Sequence, residues 1–128
     1  MSKRFTLAAL AALPIAFASM GAQAQMATYC DGRIVANSFY SNVISNNTRS
    51  TVPYFVQLQN RSGDPIRYTV RFTAPNIQMP QTGSVVATLA SYQQVTVTLG
   101  QQSFNNPSGT GQLSQQDLIR YTQVTCPR

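Results

Sequence analysis

From Tyr54 to Thr73 the chain alternates apolar and polar side chains with a period of two, the spacing of a strand that buries one face. Tyr54, Val56 and Leu58 fall on one side, and Phe55, Gln57 and Gln59 on the other. The segment Asn60-Arg61-Ser62-Gly63-Asp64-Pro65 then supplies turn-favouring residues. Beyond it the pattern resumes, with Tyr68, Val70 and Phe72 opposite Arg67, Thr69, Arg71 and Thr73. Two such runs joined by a short loop are expected to pair as an antiparallel hairpin. A chain built on this pattern must put a second layer over the apolar faces, so helical bundles are excluded at the outset.

Further strands are expected at Val85–Ala90, at Val95–Leu99 where Val95, Val97 and Leu99 alternate with Thr, and at Leu118–Thr125. The stretch Gly100–Gly111, rich in Gly, Pro and Asn, reads as a long loop. Ser114 with Asp117 has the spacing to cap a single helical turn before the last strand. Helix, strand and loop all remain open over Ile34–Ile44. Val35, Phe39 and Val43 recur every four residues as a helix would have them, yet Asn37, Ser38, Tyr40 and Asn42 are poor helix formers. The reading adopted is a first strand near Tyr29–Ala36, followed by a loop or short strand. About six or seven short strands at regular spacing make an all-β fold. A small antiparallel sandwich of immunoglobulin-like architecture is expected, with a small β-barrel as the alternative.

Residues 1–24 have the three parts of a secretory signal: Lys3 and Arg4, an apolar run from Phe5 to Phe17, and small residues at Ala22 and Ala24. Cleavage is expected before Gln25, leaving residues 25–128 as a single domain. Thr6, Pro14, Ser19, Gly21 and Gln23 interrupt the apolar run, so it falls short of a membrane span, and no second such run follows. The mature chain is therefore expected to carry no transmembrane segment and to work in the periplasm or as a secreted protein. Cys30 and Cys126, the chain's two cysteines, lie near the two ends of that domain. In an exported protein one such pair indicates one disulfide. No C-x-x-C spacing is present for redox work, and no His is present to complete a zinc site.

The composition removes most reaction chemistry. Without Lys3 and Arg4 the chain holds seven Arg and three Asp, a net charge of +4, and it has no Lys, Glu or His. General acid–base catalysis needs side chains that titrate near the working pH, and nucleophilic catalysis by Ser needs a base beside it. Asp31, Asp64 and Asp117 each stand in a turn or cap setting. No nucleotide-binding glycine motif occurs. The expectation is a protein that is not an enzyme and uses no cofactor and no metal.

What remains is contact. Arg67, Thr69, Arg71 and Thr73 share one strand face, and guanidinium groups bind carboxylate and phosphate through paired hydrogen bonds. This face is the candidate binding surface for another exported protein or an anionic glycan. Nucleic acid is not expected, because the excess charge is modest and the Arg are dispersed. In its Thr, Gln and Asn content and its uncharged strands the chain also resembles exported subunits that polymerise by strand addition, which implies edge-to-edge assembly as an alternative function. Those subunits usually place their disulfide in the first half of the chain, and here the cysteines flank the whole domain. A small secreted inhibitor-like domain, presenting the Gly100–Gly111 loop, is the third reading.

Overall fold

The computed structural model describes residues 26–127; the expected leader, residues 1–24, lies outside them. The elements in chain order are β1 (Ala27–Tyr29), β2 (Ile34–Ser41), β3 (Ile44–Ser45), β4 (Ser50–Asn60), β5 (Ile66–Phe72), β6 (Ala87–Leu89), β7 (Gln94–Phe104), α1 (Gln115–Tyr121) and β8 (Thr122–Thr125). They form two antiparallel sheets. The large sheet runs β1-β2-β4-β7, with β3 pairing to β4 beyond the end of β2; the small sheet runs β6-β5-β8. The fold is the expected all-β sandwich, and neither sheet closes into a barrel.

The core lies between the sheets. Val52, Tyr54, Val56 and Leu58 of β4 are buried there with Ile66, Tyr68, Val70 and Phe72 of β5, as the alternation requires. The Tyr54 and Phe72 rings pack at 6.2 Å across the layers. β4 and β5 do not form the expected hairpin, however. β4 pairs with β2 and β7, β5 pairs with β6 and β8, and the loop after Asn60 carries the chain from one sheet to the other. Both strands bury their apolar faces, but against each other across the core, which alternation alone cannot distinguish from lying side by side. The strand order also differs from that of immunoglobulin domains. Immunoglobulin domains send their third strand to the opposite sheet; here β4 stays beside β2, and β7 returns to its free side.

Other boundaries also differ from those expected from the sequence. The expected strand Tyr29–Ala36 is a hairpin, β1 and β2, turning at Cys30-Asp31-Gly32-Arg33. Cys30 (φ 56°) and Asp31 (φ 58°) are both left-handed, the conformation that tight hairpin turns demand, and Gly32 N donates to Tyr29 O at 3.1 Å. β2 then occupies most of Ile34–Ile44, where a register shift beside Asn37 breaks the two-residue period. β7 continues through Gly100 to Phe104, so the long loop begins later than expected. Gly100 sits at the register shift opposite Tyr54, where a Cβ would overlap Ile77 Cγ2. Finally, Leu118–Tyr121 is helix, and the last strand starts at Thr122.

Pro53 lies inside β4, a position from which proline is normally excluded because it cannot donate to the ladder. The break between β2 and β3 lies opposite it. Pro53 O accepts from Asn42 N at 3.3 Å, and on the other side its register partner is Gln101. The missing donor therefore faces the gap in the ladder.

The end of α1 is set by local chemistry. Ser114 Oγ accepts from Asp117 N at 3.1 Å and Asp117 Oδ2 accepts from Ser114 N at 3.2 Å, a reciprocal capping box. Hydrogen bonding to the carboxyl from the Ser114 backbone first and from the Ser114 side chain second, with a smaller contribution from Arg120, holds Asp117 below the ordinary aspartate value. A carboxylate with a depressed folded-state pKa stabilises the fold above its unfolded pKa, and that stability is lost as the pH falls through the folded value. Asp117→Asn is expected to flatten the loss of thermal stability below about pH 4 relative to the parent, while leaving the strand-rich circular dichroism unchanged. An acid profile identical to the parent's would show that the cap contributes nothing.

Candidate functional site

The Cys30–Cys126 disulfide defines one end of the molecule. Cys30 is in the β1–β2 turn of the large sheet, and Cys126 directly follows β8 of the small sheet. Their Cα atoms are 5.9 Å apart after a sequence separation of 96. The bond therefore ties one sheet to the other as well as one chain end to the other. It borders an open cleft of about 550 Å³, whose charged lining is Asp31, Arg33 and Arg67. Arg33 is oriented through a bond from its Nε to Cys30 O at 3.2 Å. The sequence reading singled out Arg67 but missed Arg33, which the turn and the disulfide bring to the same cleft.

Above the cleft lies the outer face of the small sheet. Arg67 and Arg71 are exposed on β5, with Thr69 half-buried between them. Thr69 is tied to Thr125 of β8 by a hydroxyl–hydroxyl bond of 2.6 Å. Thr73 is displaced from this group: it lies past the end of β5, and its Oγ1 donates to Tyr121 O at 3.2 Å, binding the strand end to the end of α1. Thr82 takes its place beside Arg71, joined to it by an isolated bridge, and these two border a shallow depression with Thr69, Gly83, Gln123 and Thr125.

The electrostatics of this face are one-sided. Among the described residues the only ion pair within 4 Å is Arg120 Nη2 to Asp117 Oδ1 at 2.9 Å, on α1. Among the described residues no carboxylate lies within ion-pair distance of Arg67 or Arg71. The aspartates stand where turn and cap chemistry places them, Asp31 in the hairpin turn, Asp64 in the β4–β5 loop and Asp117 in the capping box. Among the described residues no three His, Cys, Asp or Glu side chains cluster as a metal site would need. Burial pushes the Tyr29 phenol up to about 12, so it stays protonated at any physiological pH.

The large sheet presents a different outer face. None of the residues in β1, β2, β3, β4 or β7 is charged. Its outward residues form rows set by the strand register: Tyr40, Phe55 and Thr98; then Ser38, Gln57 and Thr96; then Gln59 and Gln94, with Asn37 alongside. Tyr40 and Phe55 stack with centroids 5.1 Å apart. The amides are linked to one another, Asn37 Nδ2 donating to Gln59 Oε1 at 3.0 Å and to Gln94 Oε1 at 3.1 Å, and Ser38 Oγ donating to Gln57 Oε1 at 3.0 Å.

No protein-family model matches the chain, and neither a curated protein nor a solved structure matches it significantly. Function must therefore be read from these faces. No helix among the described residues is long and apolar enough to cross a membrane.

Proposed function

We propose that this chain is an exported, non-enzymatic binding module that contacts an acidic partner, another exported protein or an anionic glycan, through the outer face of its small sheet. The observation that carries this reading is the pair of exposed guanidinium groups, Arg67 and Arg71, on the central strand of the small sheet, with no carboxylate paired to either among the described residues. Guanidinium is the side chain best matched to carboxylate, sulfate and phosphate oxygens, because its fork donates two parallel bonds. Arg33 extends the positive edge into the cleft beside the disulfide, with Asp31 the one opposing charge among the described residues that line it. Exposed charges of this kind act weakly one by one and are screened by salt, so binding through them is salt-sensitive.

The test is retention on a column of sulfated polysaccharide, run beside an acidic-peptide column to separate glycan from protein partners. The parent protein is expected to be retained on at least one and to elute with salt. Arg67→Ala/Arg71→Ala is expected to elute at clearly lower salt with an unchanged melting temperature, since both side chains are exposed and make no ion pair among the described residues. Equal retention of parent and double variant would refute the assignment.

A second reading, edge-to-edge assembly, is supported by one feature. β7 is an uncharged edge strand of the large sheet, and natural edges are normally guarded by charge or cover. The segment before β6 covers part of it: Gln78 exchanges backbone bonds with Gln101, and Gln81 N donates to Leu99 O at 3.0 Å. The stretch left for strand addition is Gln94–Val97. For the inhibitor-like reading, the loop is shorter than expected and starts after Phe104, with Asn106 Oδ1 accepting from Thr110 N at 2.8 Å to brace it.

A further inference from the structure

We propose that the outer face of the large sheet binds an uncharged oligosaccharide, independently of the arginine face on the other side of the sandwich. Three observations lead to this assignment. The first is electrical. The strands of the large sheet contain no charged residue, while the small sheet's central strand carries Arg67 and Arg71. A charged partner finds nothing to pair with on the large sheet and loses hydration there without compensation.

The second observation is the state of the amides. Gln57, Gln59 and Gln94 each use their Oε1 to accept a bond within the face, from Ser38 or from Asn37. An amide has two donors as well as its acceptor oxygen. Once the oxygens are tethered, the three Nε2 groups are held in place with no hydrogen-bond partner among the described residues, and Asn37 Oδ1 adds an acceptor. The face is thus a fixed donor field, ordered before any ligand arrives, which lowers the entropy cost of binding. Sugar hydroxyls, each both donor and acceptor, match it. A peptide ligand would seek a strand edge for its backbone, whereas the centre of this face is β4, which is paired on both sides.

The third observation is the aromatic stack. Tyr40 and Phe55 occupy the row next to Ser38 and Gln57, and Tyr40 is 37 % exposed at the surface. An amphipathic ring beside polar donors suits a ligand with an apolar C–H surface and a hydroxyl rim. Three rows on three strands cover roughly 10 by 14 Å, from the spacing of neighbouring strands and of alternate residues, the footprint of a short oligosaccharide.

The experiment is a nuclear magnetic resonance titration of the mature, oxidised protein with cello-, xylo-, manno- and chito-hexaose at millimolar concentration. A sulfated oligosaccharide and a protein dilution series run beside them. At least one neutral sugar is expected to shift the side-chain amide signals of Gln57, Gln59 and Gln94 and the backbone signals of Tyr40 and Phe55. Tyr40→Ala is expected to weaken that binding about tenfold and Gln57→Ala about threefold, the scale of one lost ring contact and one lost hydrogen bond. Arg67→Ala/Arg71→Ala should leave it unchanged, which separates this result from the fate of the arginine face. Silence across the neutral panel overturns the proposal. So does a response to the sulfated sugar alone, or the same signals moving on dilution without sugar, which would make the face an interface between copies of this chain.

Discussion

Replacing both cysteines by serine is expected to lower the unfolding free energy by roughly 3–5 kcal/mol and the melting temperature by roughly 15–30 °C. The size follows from the length of chain the bond closes. A separation of 96 residues spans nearly the whole domain, and the entropy removed from the unfolded chain grows with the loop. Position adds to it. Cys30 belongs to the turn of the large sheet and Cys126 follows the last strand of the small one, so the bond holds both sheets at the end where β1 and β8 are short edge strands. The loss should appear first at those strands. Hydrogen exchange of the double variant is expected to quicken in β1 and β8 before β4 and β5, which keep their buried partners. A melting temperature within a few degrees of the parent would mean that the sandwich holds itself without the staple.

The second large effect is expected at Asn60. This residue ends β4, is fully buried, and uses its side chain on both sides. Its Nδ2 lies 2.7 Å from Asp64 O, 3.0 Å from Leu89 O and 3.2 Å from Ala90 O, and its Oδ1 accepts from Ser62 N and Ser62 Oγ at 2.8 Å. One amide thus shapes the loop that crosses between the sheets and anchors the end of β6. Asn60→Ala strips the partners from buried carbonyls as well as losing the bonds, and is expected to cost about 2–4 kcal/mol. Ser62→Ala, at the half-exposed end of the same network, should cost about 1 kcal/mol. Urea unfolding of the two variants separates them: the midpoint falls at constant slope if the fold is retained. Equal, small shifts in both would show that the Asn60 side chain is not the centre of the crossover.

Which side chains are buried was legible in the sequence; which strands are neighbours was not. The alternation through Tyr54–Leu58 and Tyr68–Phe72 marks the two core faces directly, because side-chain direction in a strand has a strict period of two. It carries no information on partners. The β4–β5 crossing depends on Asn60 reaching Leu89 and Ala90, residues remote in sequence that no local pattern links to it. Asn60 read only as a turn former, which is half of its role.

At α1 two local signals compete. Leu118 to Thr125 reads as a strand by composition, and the Ser114–Asp117 pair marks a helix start. The capping box wins for two turns, until the buried Thr122 closes the helix with a bond from its Oγ1 to Leu118 O at 2.7 Å and the chain enters β8. The bulge at Asn37 explains why Ile34–Ile44 fitted neither period: one extra residue changes the phase halfway along β2.

The candidate face was legible in part. Arg67, Thr69 and Arg71 share a side as the alternation requires, whereas Thr73 falls beyond the strand. Arg33 and the charge-free outer face of the large sheet depend on which strands meet, so they became visible only in the assembled sheets.

The most direct test is mass spectrometry of the protein recovered from the exported fraction of the cells that make it, intact and after non-reducing digestion. The account predicts a chain that begins at Gln25 and yields one cross-linked peptide pair containing Cys30 and Cys126. A chain that keeps residues 1–24 and carries two free thiols would contradict it.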